Sequence, residues 1–370
     1  MYSMEPITKR GYVVWDRGIL PGDEFFERIR LIRAEMRDNG LDALVVFGNA
    51  YDDAQLNYFT GAYIDGGLVI TAEGDPAMIS SGGSREIYFQ KLNTWIEDVS
   101  AAPAMGPAVL AALKARGVTR GAVGVAGARI LSGKVYAGFL EALSGFKIRE
   151  SDDLVGKLLR QPRDREVLAV ETSLAIAEAA VAAGQKVHAA GGSNTDALNE
   201  AERVARRLRA WDVRCLANLD GDDLRPLDRL STLRQEPLLL WVGVRHQGYW
   251  ADAVAPGALG GEAAKALEAM IAAASAGAAA SDVAKAGTGR LSPASAESAL
   301  AYGLGGGIGL TLSGQPVIAP GNAEKLLDGE LLSLRVFASG DGTPSFANAI
   351  VRVGRSGGVR LKARTLDWSL

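Results

Sequence analysis

The sequence has very few of the side chains that most often bind metals or act as nucleophiles and bases: one cysteine, Cys215, and two histidines, His188 and His246. A single cysteine excludes an intrachain disulfide and a zinc site of several cysteines, and it favours a reducing, cytoplasmic setting. The formal net charge is only −3, which gives no broad electrostatic reason to bind nucleic acid or an anionic membrane surface.

Long apolar stretches are also missing. The first ten residues, MYSMEPITKR, lack the apolar core of a secretory signal, and no apolar run reaches the ~18 residues of a membrane helix. The alanine-rich segment at about 261–285 is interrupted by charges and predicts a pair of soluble helices. A chain of 370 residues is long for one compact core, so two domains are expected.

Helix and strand patterns alternate through residues 1–155, which predicts a small α/β domain. The segment GDEFFERIRLIRAEMRDNG has apolar residues at helical spacing and a glycine just past its end. SREIYFQKLN and PAVLAALKARG are typical of further helices. Short buried strands are predicted at DALVVFG, GGLVIT, PAMISS and GAVGVAG.

Residues 156–370 predict a second, α+β domain. REVLAVETSLAIAEAAVAAGQKVHAAG is typical of a long amphipathic helix, and Ser193, Asn194 and Thr195 are candidates to cap the next one, DALNEAERVARRLRA. Strand patterns then dominate, at VRCLANL, LLLWVGVRHQGYWADAVAPG, GELLSLRVFAS and FANAIVRVG. Two long helices, a hairpin, more helix and more strands favour helices packed on one curved sheet.

The glycine run YGLGGGIGL, residues 302–310, invites interpretation as a phosphate-binding loop. It fits neither phosphate motif, because it lacks the third glycine of GxGxxG and the Lys-Ser/Thr pair of a P-loop. Glycine also lets two backbones approach closely. The run therefore predicts a strand end in tight backbone contact.

Five segments, in order, resemble the creatinase/Xaa-Pro aminopeptidase (pita-bread) family. YGLGGGIGLTLSGQP is similar to that family's G-H-G-I-G-L-x-x-H-E-x-P segment, and WVGVRHQGYWAD to its D-x-G…G-Y-x-x-D hairpin. LSLRVF and FANAIVRV fall where the family has its two metal-binding glutamate strands, and GLDALVVFG, LNYFTG and GGLVITAEGDPAMI resemble its N-terminal domain. The resemblance covers nearly the whole chain. It implies a creatinase-type α/β domain followed by a pita-bread domain, which is a curved antiparallel sheet with helices on one face.

The resemblance also implies the loss of the family's metal site. Family metallopeptidases bind two metal ions with two Asp, one His and two Glu, a ligand set that generates a hydroxide nucleophile. The matching residues here are Trp241, Asp252, Gly306, Arg335 and Asn348. One carboxylate beside an amide and a guanidinium does not suit two divalent cations. We therefore expect no metal, no cofactor and no metallopeptidase activity.

Creatinase itself works without metal and uses a pocket histidine. The resemblance places that histidine near Leu224, where this sequence has none, and it places a second pocket histidine and its neighbouring glutamate on Ser313 and Gly314. His188, near the end of a long helix, is expected to face solvent. His246, at the hairpin turn, is expected to be polar surface and is a weak candidate for a general base.

The lone Asp252 permits two interpretations. In the preferred one, Asp252 forms a buried bidentate ion pair with Arg335, and Trp241 fills the space of the lost metals. In the other, Arg335 clamps a carboxylate or phosphate of a ligand, Trp241 and Tyr249 form an aromatic wall, and Asp252 acts as a base or an amine anchor. The catalytic candidates are Asp252, Arg335 and His246. The expected pocket residues are Trp241, Tyr249, Asp252, Tyr302, Gly306, Ser313, Arg335 and Asn348.

Two functions follow from these interpretations. The first is a pseudoenzyme, a binding or partner subunit that forms a homodimer or a heterodimer with a metal-bearing paralogue. The alternative is a metal-independent hydrolase or lyase that acts on a C–N bond of a small guanidino, amide or amino-acid-like molecule, so an anionic or amino-acid-like ligand is expected. A nucleosome-type interaction module is disfavoured, because the chain has no long acidic tail and no basic run. No nucleic-acid or membrane partner is expected.

Overall fold

The structure is a computed structural model that describes residues 15–49, 54–228, 230–255, 261–340 and 342–365. The chain divides into two compact units, Met1–Leu159 and Arg160–Leu370. The sequence placed the boundary after residue 155, inside a short helix that the structure continues to Leu159.

The first unit alternates helices and strands, as its sequence predicts. Its helices are α1 (Gly22–Asp38), α2 (Ala54–Thr60), α3 (Ser84–Asn93), α4 (Met105–Ala115), α5 (Gly133–Ala142) and α6 (Asp152–Leu159), with a 3₁₀ turn at Ala128–Ile130. Its strands are β1 (Ala43–Gly48), β2 (Gly66–Thr71), β3 (Ala77–Ser80), β4 (Asp98–Ala101), β5 (Ala122–Ala126) and β6 (Lys147–Glu150).

The strands of the first unit form one mixed sheet in the order β4-β3-β2-β1-β5-β6. Strand β1 pairs antiparallel with β2 and parallel with β5. Helix α1 buries the apolar stripe of Phe25, Ile29, Ile32 and Met36. Gly40, just beyond the helix, has a φ of +64°, a left-handed conformation that glycine adopts at little cost and that ends the helix.

The second unit contains the long helices and the remaining strands. Its helices are α7 (Asp164–Ala189), α8 (Asn194–Arg207), α9 (Glu262–Ala273), α10 (Ala280–Thr288) and α11 (Pro293–Tyr302). Its strands are β7 (Asp212–Asn218), β8 (Leu224–Arg225), β9 (Leu240–His246), β10 (Tyr249–Val254), β11 (Gly305–Gly307), β12 (Gly314–Val317), β13 (Leu331–Gly340), β14 (Gly342–Gly354) and β15 (Gly357–Arg360). Ser193 caps α8 by accepting a hydrogen bond from the Asp196 backbone N–H, as its residue type predicts.

These strands form two antiparallel sheets in the orders β10-β9-β7-β8 and β12-β11-β13-β14-β15. The sheets meet where β10 lies beside β14, and the Asn348 side-chain amide donates to the Asp252 backbone oxygen at 3.0 Å. The helices cover one side: Val242 and Val244 pack in a core with α7 and α8, and Leu334 packs in a second core with α9 and α10. The predicted α+β architecture with helices on one face is confirmed.

Alternation along the strands sends a different set of residues to the side opposite the helices. We call this side the site face and define it by the residues that it carries: Trp241, Gly243, Trp250, Asp252, Ser333, Arg335 and Asn348. Their strand neighbours, such as Val242 and Leu334, are the residues that contact the helices.

Helix α7 is the one helix in the described residues that is long and apolar enough to cross a membrane by length and composition. About two-thirds of its most apolar stretch is buried within the protein. Its Ile176, Ala177 and Ala180 belong to the core beneath β9 and β10. These contacts identify α7 as a core helix of the second unit.

The glycine run at β11 makes the close backbone contacts that the sequence predicts. Gly305 has a φ of +106°, and a Cβ atom there would lie 1.8 Å from the Ser333 carbonyl oxygen. A Cβ atom on Gly307 would lie 2.1 Å from the Gln315 carbonyl oxygen. Residues with side chains do not fit between β12 and β13 at these positions.

Candidate functional site

Asp252 lies at the centre of the site face, and its main partner is a tryptophan. The β9–β10 hairpin turns through Gln247 and Gly248, which both have positive φ angles of 49° and 89°, as a two-residue turn of type I′ requires. This turn sets Asp252 opposite Gly243. Because Gly243 has no side chain, the Trp241 indole extends over it, and its Nε1–H donates to Asp252 Oδ2 at 2.9 Å.

A serine from the second sheet binds the other carboxylate oxygen. Ser333 Oγ, on β13, donates to Asp252 Oδ1 at 2.7 Å. The Asp252 side chain is fully buried, with 0% of its surface exposed. Each carboxylate oxygen thus accepts a hydrogen bond from a neutral donor, which satisfies a buried carboxylate in the way that a stable fold requires.

Arg335 is close to Asp252 but does not form the expected bidentate pair. Its Nη1 lies 3.7 Å from Asp252 Oδ2, beyond hydrogen-bonding distance. The Arg335 Nε is buried without a hydrogen-bond partner in the described part of the chain, and 14% of the side chain is exposed. Asp252 and Arg335 therefore form an ion pair without the bidentate geometry, and Trp241 and Ser333 supply the hydrogen bonds to the carboxylate.

The remaining two expected positions lie on the same face. Asn348 on β14 is directly opposite Arg335 in the register, and Gly306 on β11 is opposite Ser333. A Cβ atom on Gly306 would lie 2.8 Å from the Pro316 carbonyl oxygen, so this position cannot carry a side chain unless β12 moves. The five residues that the resemblance aligns with metal ligands therefore all belong to the site face.

An aromatic cluster borders Asp252. Trp241 and Leu239 pack with Phe337 and Phe346, and the Tyr302 ring lies 5.1 Å from that of Phe346, centroid to centroid. Burial raises the pKa of the Tyr302 phenol above its ordinary value; the nearby Arg335 opposes this rise and Asp252 adds to it. At neutral pH Tyr302 is therefore a protonated phenol, able to donate a hydrogen bond.

Two of the expected pocket residues do not join this cluster. Tyr249 points to the helix side, where its hydroxyl donates to Glu166 Oε1 of α7 at 2.8 Å, so Tyr249 and Trp241 form no aromatic wall. Three positions separate Tyr249 from Asp252, and residues an odd number apart on a strand face opposite sides. Ser313 is exposed in the turn before β12, and it is Leu312 that packs beside Trp241 and over Gly243.

Both histidines are buried and away from Asp252, contrary to the expectation of surface positions. His188 is 5% exposed, and its Nε2 is 3.0 Å from the Gln235 carbonyl oxygen. His246 is 7% exposed, and its Nδ1 is 2.9 Å from the Arg209 carbonyl oxygen. His246 is paired with Tyr249 in the hairpin register, so it shares the helix side. Each ring fixes a loop backbone, and neither lies on the site face.

A second group on the site face was not expected from the sequence. Trp250 is fully buried, and two guanidinium groups cover its ring: Arg214 Cζ lies 4.7 Å and Arg245 Cζ 5.3 Å from the ring centroid. The Trp250 Nε1 and the Arg214 Nε are buried without a hydrogen-bond partner in the described ranges. Alternate residues of a strand face the same side, so the positions of Arg214 on β7, Arg245 on β9 and Trp250 on β10 could have indicated this group from the sequence.

A pocket of about 440 Å³ lies between α7, α9, β10 and β14, and its lining includes Asp252 and Asn348. Its lining also includes Leu174 of α7, Leu267 of α9 and the alanines Ala253 and Ala349. These four residues belong to the cores beneath the helices or border them. The pocket thus extends from the helix side to the strand positions of Asp252 and Asn348, whereas the Asp252 side chain itself is fully buried.

The residues around Asp252 do not fit the two metal ions that the pita-bread resemblance implies. Divalent cations need several anionic or lone-pair donors directed at one point. The only carboxylate at the five positions uses both oxygens as acceptors from Trp241 and Ser333, and the neighbouring Arg335 is itself a cation. Within the described residues no group of three or more His, Cys, Asp and Glu side chains is arranged to hold a metal ion.

Comparison with known proteins places both units in a known fold. Residues 28–161 match the family described as Creatinase/Prolidase N-terminal domain. The X-Pro aminopeptidase from Thermotoga maritima aligns with a TM-score of 0.74 and 18% identity over 93% of this chain and 99% of that chain. The dipeptidase PepE from Mycobacterium ulcerans aligns with a TM-score of 0.66 and 20% identity, over 93% of this chain and 96% of that chain.

A domain from a subunit of a larger complex also has this fold. The N-terminal domain of the FACT complex subunit SPT16 from Cicer arietinum aligns with a TM-score of 0.63 and 13% identity, over 91% of this chain and 95% of that chain. No curated protein matches the chain in sequence. The first unit thus carries a creatinase/prolidase-type N-terminal domain, and the chain as a whole has the fold of the X-Pro aminopeptidases and prolidases, with a pita-bread second unit.

Proposed function

We propose that this protein is a non-peptidase member of the pita-bread fold, a pseudoenzyme that works as a binding or partner subunit. The observation that carries the proposal is the state of Asp252. Its side chain is fully buried, and its two oxygens accept hydrogen bonds from Trp241 and Ser333. A carboxylate that is buried and hydrogen-bonded in this way is a structural acceptor.

The charge of the neighbouring residues supports the same proposal. A dinuclear site needs a strongly negative ligand set to offset two dications, whereas this site has one carboxylate and the Arg335 cation 3.7 Å from it. The backbone around Gly306 leaves no room for the histidine that a metal site would use there. Both features work against metal-assisted hydrolysis at this position.

The alternative, a metal-independent hydrolase or lyase acting on a C–N bond, has less support. Such chemistry needs a side chain that moves protons beside the substrate. His188 and His246 are buried at other positions, where one nitrogen of each ring lies within hydrogen-bonding distance of a backbone carbonyl. Tyr302, whose pKa burial raises, is a poor base at neutral pH. What favours a ligand is the unpaired Arg335 Nε, and this feature fits binding as well as catalysis.

The partner is proposed from the use of the fold elsewhere. The similar SPT16 domain is part of a named complex, which shows that the fold is compatible with a role as a subunit. We propose a homodimer or a heterodimer with a metal-bearing paralogue, located in the cytoplasm in keeping with the lone Cys215. Light scattering after size-exclusion chromatography gives the mass of the assembly, and co-purification with the paralogue distinguishes the two dimers.

The test of the main proposal is hydrolysis of Xaa-Pro dipeptides with and without added manganese. We expect no turnover above background and no stoichiometric bound metal by elemental analysis. Asp252→Ala is the matched control, because a contaminating peptidase would persist unchanged in this variant. Turnover that requires metal and disappears in Asp252→Ala would refute the proposal.

A further inference from the structure

Three guanidinium groups lie along one edge of the site face. Arg214 and Arg245 cover Trp250, and Arg335 lies beside Asp252. Trp250 and Asp252 are two residues apart on β10 and point to the same side, so the two positions are separated by about 7 Å. The arginines come from three different strands and are brought together only by the fold.

Among the described residues, Arg335 has one carboxylate within ion-pair distance, Asp252 at 3.7 Å, and the Arg214 side chain has none. Asp252 is the carboxylate nearest to Arg335, and its oxygens already accept from Trp241 and Ser333. Arg214 makes no ion pair or hydrogen bond in the described residues; its contact is the ring of Trp250. Asp212, two residues before Arg214 on β7, accepts from the Val213 backbone N–H and lies opposite Arg245 in the strand register.

Unpaired donors accompany these charges. The Nε atoms of Arg214 and Arg335 and the Nε1 of Trp250 are all buried without an acceptor in the described ranges. Buried N–H groups are rarely left without a partner, because the loss of their hydrogen bonds with water is not compensated. Both arginines nevertheless remain partly exposed, so an external acceptor can reach their terminal nitrogens.

We propose that the site face binds a small organic dianion, with one anionic group at Arg335 and the other at Arg214. This inference rests on the proposed function, since it assumes that the face binds a ligand where the metallopeptidases bind metal. The guanidinium fork suits carboxylate and phosphate oxygens equally. Trp241, which lies over Gly243 between the two arginines, would contact the apolar linker of the dianion.

The number of arginines specifies the ligand further, because Arg214 lies on β7 and Arg335 on β13. A single carboxylate or phosphate can engage one guanidinium, whereas two groups separated by a short chain can engage both. Once the first anionic group is bound, the linker holds the second group near the other arginine, and this high effective concentration strengthens the binding of the whole ligand. We therefore expect dianions to bind more tightly than monoanions of the same chemistry.

Calorimetric titration of the full chain at low ionic strength tests this inference. The probes are glutarate as a dicarboxylate, pyrophosphate as a phosphate-type anion, acetate as the monoanion and pentane-1,5-diol as the neutral analogue. The variants are Arg214→Gln and Arg335→Gln. Arg355→Gln is the control, because Arg355 is exposed in the turn between β14 and β15. Melting curves establish that each variant is folded.

We expect saturable binding of glutarate or pyrophosphate, with acetate weaker by at least about tenfold and the diol inactive. Each site variant should lose at least about tenfold in affinity, and Arg355→Gln should bind normally. If Arg335→Gln does not fold, Arg214→Gln provides the same test, because the Arg214 side chain forms no ion pair or hydrogen bond with Asp252 in the described residues.

Three outcomes would overturn the inference: no binding of either dianion, unchanged binding in Arg214→Gln, or an equal loss in Arg355→Gln. The peptidase assay separates this inference from the proposed function. Metal-dependent hydrolysis would refute the proposed function whatever the anion data, whereas absence of both hydrolysis and anion binding would refute only the dianion site.

Discussion

Replacing Trp241 by phenylalanine removes one hydrogen-bond donor from a buried carboxylate and keeps an aromatic ring in the same place. The indole N–H donates to Asp252 Oδ2 at 2.9 Å, and Trp241 is only 5% exposed, so water cannot easily replace it. A hydrogen bond to a charged group contributes roughly 1.5–3 kcal/mol. For a domain of this size we expect the melting temperature to fall by roughly 3–12 °C from this bond alone.

The chain offers a matched control for the loss of aromatic volume. Trp250 lies on the same sheet and is fully buried, but its Nε1 has no hydrogen-bond partner in the described residues. Trp250→Phe removes the same atoms and leaves a ring for Arg214 and Arg245 to cover. Differential scanning calorimetry of both variants should show the larger loss for Trp241→Phe.

A double-mutant cycle connects the effect to Asp252. In an Asp252→Asn background the buried negative charge is absent, so Trp241→Phe should cost much less than in the parent protein. We expect a coupling energy of about 1 kcal/mol or more between the two positions. Equal losses in Trp241→Phe and Trp250→Phe, or additive effects in the cycle, would refute the view that the indole N–H stabilises this carboxylate.

Three further predictions concern the ionisable side chains of Asp252, Cys215 and Glu330. Asp252→Ala should lower the melting temperature more than Arg335→Ala. The loss of the carboxylate leaves the donors of Trp241 and Ser333 without an acceptor, whereas the loss of Arg335 removes no hydrogen bond to Asp252. The reverse order of melting temperatures in calorimetry would contradict this prediction. Burial raises the pKa of the Cys215 thiol to about 12, so Ellman's reagent at pH 8 should react slowly with the folded protein and rapidly in denaturant, and a fast reaction in the folded state would contradict it. Burial raises the pKa of the Glu330 carboxyl group, although Arg160 opposes the rise. Because the pKa is higher in the folded state, the free energy of unfolding falls as pH rises from the unfolded-state pKa, at about pH 4. Glu330→Gln should flatten this decline in melting curves recorded at several pH values, and an unchanged pH profile would contradict the prediction.

The sequence predicts the framework well because periodicity reports which face of an element is buried. The stripe of Phe25, Ile29, Ile32 and Met36 is buried as its spacing requires. The long helix after residue 160 and the hairpin around Gly248 also occur as predicted. These features depend on local patterns of residues along the chain. Such patterns are retained even though the sequence identity to known structures is low.

The same periodicity could have assigned the faces of the hairpin more accurately. Tyr249 and Asp252 are three residues apart on β10, so they cannot line one wall. His246, paired with Tyr249, follows Tyr249 to the helix side. Ser333 stands two residues before Arg335 on β13 and shares its face, which marks it as a candidate partner of Asp252. These assignments need only the register of the strands.

Hydrogen-bond partners could not be predicted in this way. Whether Asp252 binds Arg335 or Trp241 depends on differences of about an ångström between side-chain positions on separate strands. The sequence suggested that Trp241 fills space, and the structure adds that its N–H is a donor to the carboxylate. The stacking of Arg214 and Arg245 on Trp250 likewise depends on three strands that are distant in sequence.

The way in which Asp252 is stabilised also explains why the arginines of the site face keep hydrogen-bond donors without a partner. A buried carboxylate can be stabilised by a cation or by neutral donors, and here Trp241 and Ser333 provide two neutral donors in direct contact. Arg335 is then not needed as a hydrogen-bonding partner of Asp252, and its Nε remains unpaired. The Nε of Arg214, beside Trp250, is likewise without a hydrogen-bond partner in the described residues. A face that gives its central carboxylate neutral hydrogen-bond donors, while the Nε atoms of Arg214 and Arg335 have no acceptor in the described residues, is suited to bind an anion from outside, and it is unsuited to hold cations.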